Sequence, residues 1–228
     1  MQSLRPALQD ATGVFLLPGY ADMPGVLAEA RQAGLTKVVQ LSGSSVATGD
    51  MDNAITRYMT ETEDAARASG LAWTILRPAM FMSNTLQWLP QLQAGDVVRA
   101  PFAYARAAVT DPVDIAAVAA LALTEDGHAG QVYPVSGPEP LAPADRVAIL
   151  AQVLSRPLRF EAQPDDEARA EMSAAMPAKY VDAFFRFYAD GTLDESVVWP
   201  TVHDLTGRPP RTFAEWAGAH AELFAPTA

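Results

Sequence analysis

The chain has 228 residues, of which 50% are hydrophobic. That is enough for one domain with its own core, or one domain carrying a helical appendage. Sixteen Lys and Arg stand against 27 Asp and Glu, a net charge of −11. So acidic a surface repels phosphate backbones and anionic lipid, which argues against a nucleic-acid or membrane partner held by general electrostatics. There is no cysteine, which excludes disulfides, thiolate metal sites and a Cys nucleophile and fits a cytoplasmic, reducing location. The histidines at 128, 203 and 220 are too far apart to share a helix turn, so no metal site is expected. The opening residues MQSLRPALQD lack the apolar core of a signal peptide, and the uncharged apolar run from Ile115 to Thr124 is too short to span a bilayer.

Taken in chain order, short apolar runs alternate with amphipathic stretches. Gly13 to Pro18 predicts a buried strand. Asp22 to Ala33 predicts a helix, with Asp22 as N-cap and Gly34 beyond its end. Lys37 to Ser42 reads as a second strand. A long helix follows from about Asp52 to Ser69, with Ile55, Met59, Thr62, Ala66 and Ser69 as its inward stripe. Leu71 to Leu76 is a third strand, closed by Arg77-Pro78. Beyond it come a helix over Met82 to Gln93, a short strand near Ala107 to Val109, a helix over Pro112 to Leu123, and a strand over Gln131 to Val135 whose proline places it at a sheet edge. Strands alternating with helices imply a parallel sheet covered on both faces.

From about Leu141 the pattern turns helical: Ala144 to Leu154, Pro164 to Tyr188 with Asp165-Asp166-Glu167 at its acidic start, and Phe213 to Phe224. The prolines at 138, 140 and 143 mark the best boundary, dividing 1–140 from 141–228. Arg208-Pro209-Pro210-Arg211 reads as a stiff surface connector. Arg77 at a strand end and Asp114 at a helix start are expected to pair across the sheet edge.

A nucleotide-binding sheet normally carries a glycine-rich turn after its first strand, where backbone approaches pyrophosphate at a helix N-terminus. Here Gly43 and Gly49 are the one glycine pair near a strand end, and their spacing matches neither G-x-G-x-x-G nor the P-loop. Gly43-Ser44-Ser45-Val46-Ala47 is not a hydrolase elbow, and His203 beside Asp204 is not a triad.

Several segments together are nonetheless distinctive. They are Val38-Val39-Gln40-Leu41-Ser42-Gly43-Ser44; Glu63 followed by Ala68-Ser69-Gly70-Leu71-Ala72-Trp73-Thr74-Ile75-Leu76-Arg77-Pro78; Met80-Phe81-Met82-Ser83-Asn84; Thr110-Asp111-Pro112-Val113-Asp114-Ile115-Ala116; and Thr206 to Trp216. In combination the chain resembles the NmrA-like branch of the atypical short-chain dehydrogenases/reductases. The resemblance implies an α/β fold: an incomplete Rossmann-like parallel sheet with flanking helices and a helical C-terminal substrate or lid region. Ser3 to Leu8 resembles the segment after the third family strand, so the chain is expected to lack the family's glycine-rich front, through a late gene start or as a fragment. Val14 to Leu17 would then be an exposed apolar edge through which copies self-associate.

The resemblance implies NAD or NADP as cofactor, lined by Pro18 and Gly19, by Ser42, Gly43 and Ser44, and by Pro78, Ala79, Met80 and Phe81, with tight binding by this chain alone in question. Met80, Phe81, Asn84 and Trp88 are expected to wall the substrate pocket. Tyr58 and Ser44 are the candidate catalytic hydroxyls. The Tyr/Lys dyad of the wider superfamily is broken, because Thr62 stands four residues after Tyr58 where the lysine would be. Three readings stay open: an NAD(P)H-dependent oxidoreductase for a quinone-type or small aromatic acceptor, a non-catalytic dinucleotide sensor that binds a partner protein, and an inactive truncated chain.

Overall fold

The computed structural model describes residues 4–224; Ser3, the first residue of the segment expected to follow a third family strand, lies outside them. The first half runs α1 (Arg5–Leu8), β1 (Gly13–Leu16), α2 (Met23–Gln32), β2 (Lys37–Leu41), α3 (Ala54–Ala68) and β3 (Ala72–Pro78). It continues with a 3-10 segment (Met82–Trp88), α4 (Leu89–Ala94), β4 (Val97–Ala100), α5 (Pro112–Thr124) and β5 (Gln131–Val135). The second half comprises α6 (Pro143–Leu154), β6 (Arg159–Ala162), α7 (Asp165–Ala175), α8 (Ala178–Tyr188), α9 (Thr201–Thr206) and α10 (Phe213–Ala219).

The main sheet has the order β1-β2-β3-β5 and every pairing is parallel. Val14 lies beside Val38, Val39 beside Thr74, and Leu76 beside Tyr133. Strand alternation sends Val38 to a core with Leu16, Val26, Leu27 and Leu71, under α2. It sends Val39, Leu41 and Leu76 to the opposite core, against Ile115 and Val118 of α5 and Val202 of α9. Helices thus cover both faces, which is why these strands are apolar throughout rather than alternating. β5, with Pro134, is an edge strand as its proline requires; β1 forms the other edge among the described residues, with Phe15 and Leu17 exposed.

A third core joins residues from both sides of the proline-rich joint. Trp88, Leu92 and Val98 pack with Val147 and Leu150 of α6 and with Phe213 and Trp216 of α10. Here the sequence reading needs correction. Met82 to Gln93 is not one helix: it is a 3-10 segment that passes into a short helix opened by Pro90. Ala107 makes single bridges to Leu141 and Glu195 instead of forming a strand. Pro164 to Tyr188 is split into α7 and α8, because Pro177 cannot continue the first helix. β4 and β6, a separate parallel pair, and α9 were not foreseen.

The inward stripe of α3 also differs. Thr62 and Ala66 are buried as expected, but Thr56 and Glu63 join them, while Ile55, Met59 and Ser69 are only half-buried. Arg77 does not reach Asp114. Leu76 faces α5, so the next residue on the strand must face α3, where Arg77 grips Glu63 through two contacts of 2.8 Å. Asp114 instead takes Arg208 at 2.6 Å and the Arg211 backbone N–H at 2.8 Å. The Arg208 to Arg211 stretch therefore connects α9 to α10 and also clamps α5 through Asp114.

Gly137, just past β5, shows how tightly the sheet end is packed. Its N–H donates to the Ala108 carbonyl at 3.0 Å, and a Cβ there would collide with the Val109 carbonyl oxygen. Gly137→Ala is expected to cost about 1–3 kcal/mol, visible as a lower Tm; an unchanged Tm would show that this crossing can spread freely.

Candidate functional site

Because β1, β2 and β3 are parallel neighbours, their carboxyl ends form one ledge, the place where open α/β sheets bind ligands. Gly19 follows β1 with φ +118, a conformation that favours glycine, and the Tyr58 hydroxyl lies 3.2 Å from where its Cβ would be. Tyr58 thus covers the β1 loop, and burial raises its pKa. Ser42, after β2, donates to Glu63 Oε1 at 2.6 Å. Gly43 has open space, with only Ser45 Oγ at 4.0 Å from an added Cβ. Ser44 turns toward the C-terminal region and donates to Glu195 Oε1 at 2.6 Å. The two candidate catalytic hydroxyls are not joined: Tyr58 faces Gly19 and Ser44 faces Glu195.

Past β3, Pro78 ends the strand and the Ala79 N–H donates to the Val135 carbonyl at 2.9 Å. Met80 and Phe81 diverge, as neighbours in extended chain do. Met80 enters a cleft of about 560 Å³ together with Asn84 and Trp88. Phe81 packs on the Leu76 and Ile115 core and bridges to Thr110, so it does not line the cleft, contrary to expectation. The far wall comes from Phe102, Arg146, Phe184 and Tyr188. Phe102 has φ 56, costly for a bulky side chain, and is held there by an edge contact with Phe185 (ring centroids 5.1 Å apart) and a tilted one with Tyr188 (5.3 Å).

A buried polar group backs this wall. Tyr188 Oη donates to Glu195 Oε2 at 2.9 Å, and Ser44 donates to the other oxygen. One carboxylate therefore ties the β2 loop to α8. Burial raises the Glu195 pKa, opposed by hydrogen bonds from Ser44, Tyr188 and the Met80 N–H. Burial, reinforced by the Glu195 charge, holds the Tyr188 pKa well above its usual value of 10.0. Tyr188 therefore keeps its proton and orients rather than ionises. Arg146, on α6, lies over the Trp88 ring at 5.1 Å and 3.7 Å from Met80 Sδ. Burial lowers its pKa to about 10, so it stays charged at neutral pH. Sequence reading missed Arg146, Tyr188 and Glu195, since they sit on separate helices and a loop with no motif spacing. Among the described residues, no cluster of three His, Cys, Asp or Glu could hold a metal ion, and no helix is long and apolar enough to cross a membrane.

No family model matches the chain. A (4-alkanoyl-5-oxo-2,5-dihydrofuran-3-yl)methyl phosphate reductase of Streptomyces griseus is 44% identical over 228 residues, covering 98% of this chain and 81% of the relative. An NAD(P)H azoreductase of Xenophilus azovorans is 36% identical, covering 92% and 74%. The chain belongs to this family of NAD(P)H-dependent reductases. An NADPH-dependent quinone oxidoreductase from Escherichia coli, solved with NADPH, superposes with a TM-score of 0.75 at 22% identity, over 98% of this chain and 80% of that one. Its fold, and that of a Citrobacter triphenylmethane reductase (TM-score 0.74, 17% identity, 96% and 80% covered), is the one described above. The sheet of this reductase is accordingly Rossmann-like.

The residues present fit one part of a nicotinamide dinucleotide better than the other. The ledge from Ser42 to Phe81 offers open backbone at Gly43 and, past β3, the cleft that Met80 enters, which would suit the nicotinamide and its ribose. The helix after β1 does not fit a phosphate. Asp22 caps its N-terminus with its own carboxylate, accepting from the Gly25 N–H at 2.8 Å, and like charge would repel the ligand. Thus any dinucleotide phosphates would need a cradle other than the α2 N-terminus.

Proposed function

We propose that this chain is an NmrA-like reductase that passes hydride from NAD(P)H to a quinone-type or small aromatic acceptor in the cytoplasm. The observation that carries this reading is the cleft against the end of β3, walled by Met80, Trp88 and the strained Phe102. Relatives named as an NAD(P)H azoreductase and a (4-alkanoyl-5-oxo-2,5-dihydrofuran-3-yl)methyl phosphate reductase support a small-molecule acceptor. In this reading Pro18, Gly19, Ser42, Gly43, Ser44, Pro78, Ala79, Met80 and Phe81 border the dinucleotide, while Asn84 and Trp88 meet the acceptor. Residues 1–140 supply the cofactor ledge and 141–228 close the cleft through Arg146, Phe184 and Tyr188.

When bound, the dinucleotide supplies the hydride. The protein's share is orientation and exclusion of water: the rings of Phe102 and Phe184 flank a flat acceptor, Trp88 backs the wall beneath Arg146, and Asn84 offers one amide. No tyrosinate is needed, in keeping with the proton kept on Tyr188. Absence of a cation four residues after Tyr58 favours the sensor reading, in which the same ledge binds the dinucleotide without turnover. Oxidation of NADPH by a naphthoquinone, followed through the absorbance of the reduced nicotinamide, separates the two. Turnover is expected; binding of NADPH with no oxidation would establish the sensor. Self-association through the β1 edge, where Phe15 and Leu17 are exposed, belongs to the same reading, and a monomer in light scattering would remove it.

A further inference from the structure

Arg146 is the residue of the cleft that the structure leaves unexplained. It is 5% exposed, yet its Nε has no hydrogen-bond partner among the described residues. Among the described residues its guanidinium reaches one acceptor atom, the soft Sδ of Met80 at 3.7 Å. Buried guanidinium groups normally spend their donors on carboxylates or carbonyls, because an unmet buried donor is costly. The carboxylate whose charge acts on it, Glu195, does so only through space and is already occupied by Tyr188 and Ser44. A contrast within the same molecule is Arg77, which also lies at the β3 end and is fully engaged by Glu63. Trp88 below and Met80 beside it fix the plane of Arg146, and both line the cleft. A planar fork of donors on a residue that lines a ligand cavity matches the geometry of a carboxylate, sulfonate or phosphate.

We infer that Arg146 selects acceptors bearing an anionic oxygen substituent, which it binds while the aromatic body lies against Phe102 and Phe184. This rests on the acceptor-cleft reading above and narrows its substrate class. The cleft's other cation, Arg99, is committed to Glu167 at 2.7 Å, so the preference should depend on Arg146.

The test is equilibrium binding to the purified full chain, without cofactor, of three probes: naphthoquinone sulfonate, uncharged naphthoquinone and inorganic phosphate. Wild type is expected to hold the sulfonate roughly tenfold more tightly than the neutral quinone, the scale of one charge-assisted hydrogen bond. Arg146→Met, which removes the charge and the donor fork but keeps a long unbranched side chain, is expected to collapse that ratio toward one, with circular dichroism checking that the variant is folded. Arg146→Lys should retain part of it, as a point charge without the fork. A wild-type ratio near one, or a ratio unchanged in Arg146→Met, overturns the inference and leaves the reductase reading intact if the neutral quinone still binds and turns over. Sulfonate preference that depends on Arg146, with no turnover of either quinone, supports the inference as a binding site and removes the reductase reading. Phosphate bound as tightly as the sulfonate identifies a free-anion site and overturns the acceptor assignment. Binding of no probe overturns it as well.

Discussion

Arg77→Met is expected to destabilise the protein by about 3–5 kcal/mol, out of the roughly 5–15 kcal/mol that holds a domain folded. Glu63 is fully buried at the carboxyl end of β3, and its two oxygens take both Arg77 contacts at 2.8 Å, Arg67 at 2.7 Å and the Ser42 hydroxyl at 2.6 Å. Removing Arg77 leaves that carboxylate in the interior with one partly exposed cation. Burial by itself would raise the Glu63 pKa, but the hydrogen bonds from Arg77 and Ser42 and the adjacent charge outweigh it and hold it below the usual 4.5. The sign of the pH effect follows. Below 4.5 the unfolded chain binds a proton that the folded one still refuses, so stability falls as pH drops through the folded-state pKa. The contribution is fully present above the unfolded value. Urea unfolding across acidic pH should show wild type losing stability there and Glu63→Gln losing less. Parallel curves for the two proteins would show that Glu63 is not the group responsible.

What could be read from the sequence, and what could not, divides along a physical line. The β-α-β front was legible because its strands are short apolar runs bounded by Gly and Pro, and because Asp22 and Gly34 flank α2 as cap and stop. The strand ends followed from that order, and the family resemblance supplied Met80, Asn84 and Trp88 of the cleft's near wall. The far wall was not legible. The cleft is assembled from Met80 and Trp88 on one side and Arg146 and Tyr188 on the other, 58 and more residues later in sequence. Nothing in local spacing joins them. Arg146 looks like an ordinary helix cation in Pro143–Leu154, and only tertiary packing turns it inward over Trp88. β4 and β6 were missed for a related reason. At four residues each, with charged Arg99 and Glu161 among them, they carry no clear alternation, and their pairing is long-range. Strand parity decides the partner of Arg77: because Leu76 faces α5, Arg77 must face α3 and Glu63.

Trp88→Ala tests how far the cleft wall and the third core are one structure. Trp88 is 2% exposed and packs with Leu92, Val147 and Phe213 while its face carries the Arg146 guanidinium at 5.1 Å. Truncation is expected to cost about 3–5 kcal/mol through the cavity it leaves, with up to about 2 kcal/mol of cation–π attraction included in that loss. The consequence for binding differs from that for stability. Without the ring, Arg146 keeps its charge but loses the surface that sets its plane, so the sulfonate preference should weaken even at low temperature, where the variant remains folded. Trp88→Phe restores a π face with less volume. It should recover most of the anion preference while remaining measurably less stable than wild type in thermal unfolding. If the alanine variant melts with wild type, the third core does not depend on this ring. If phenylalanine rescues stability but not the preference, the orientation of Arg146 is set by Met80 and the backbone of α6 instead of by the aromatic face.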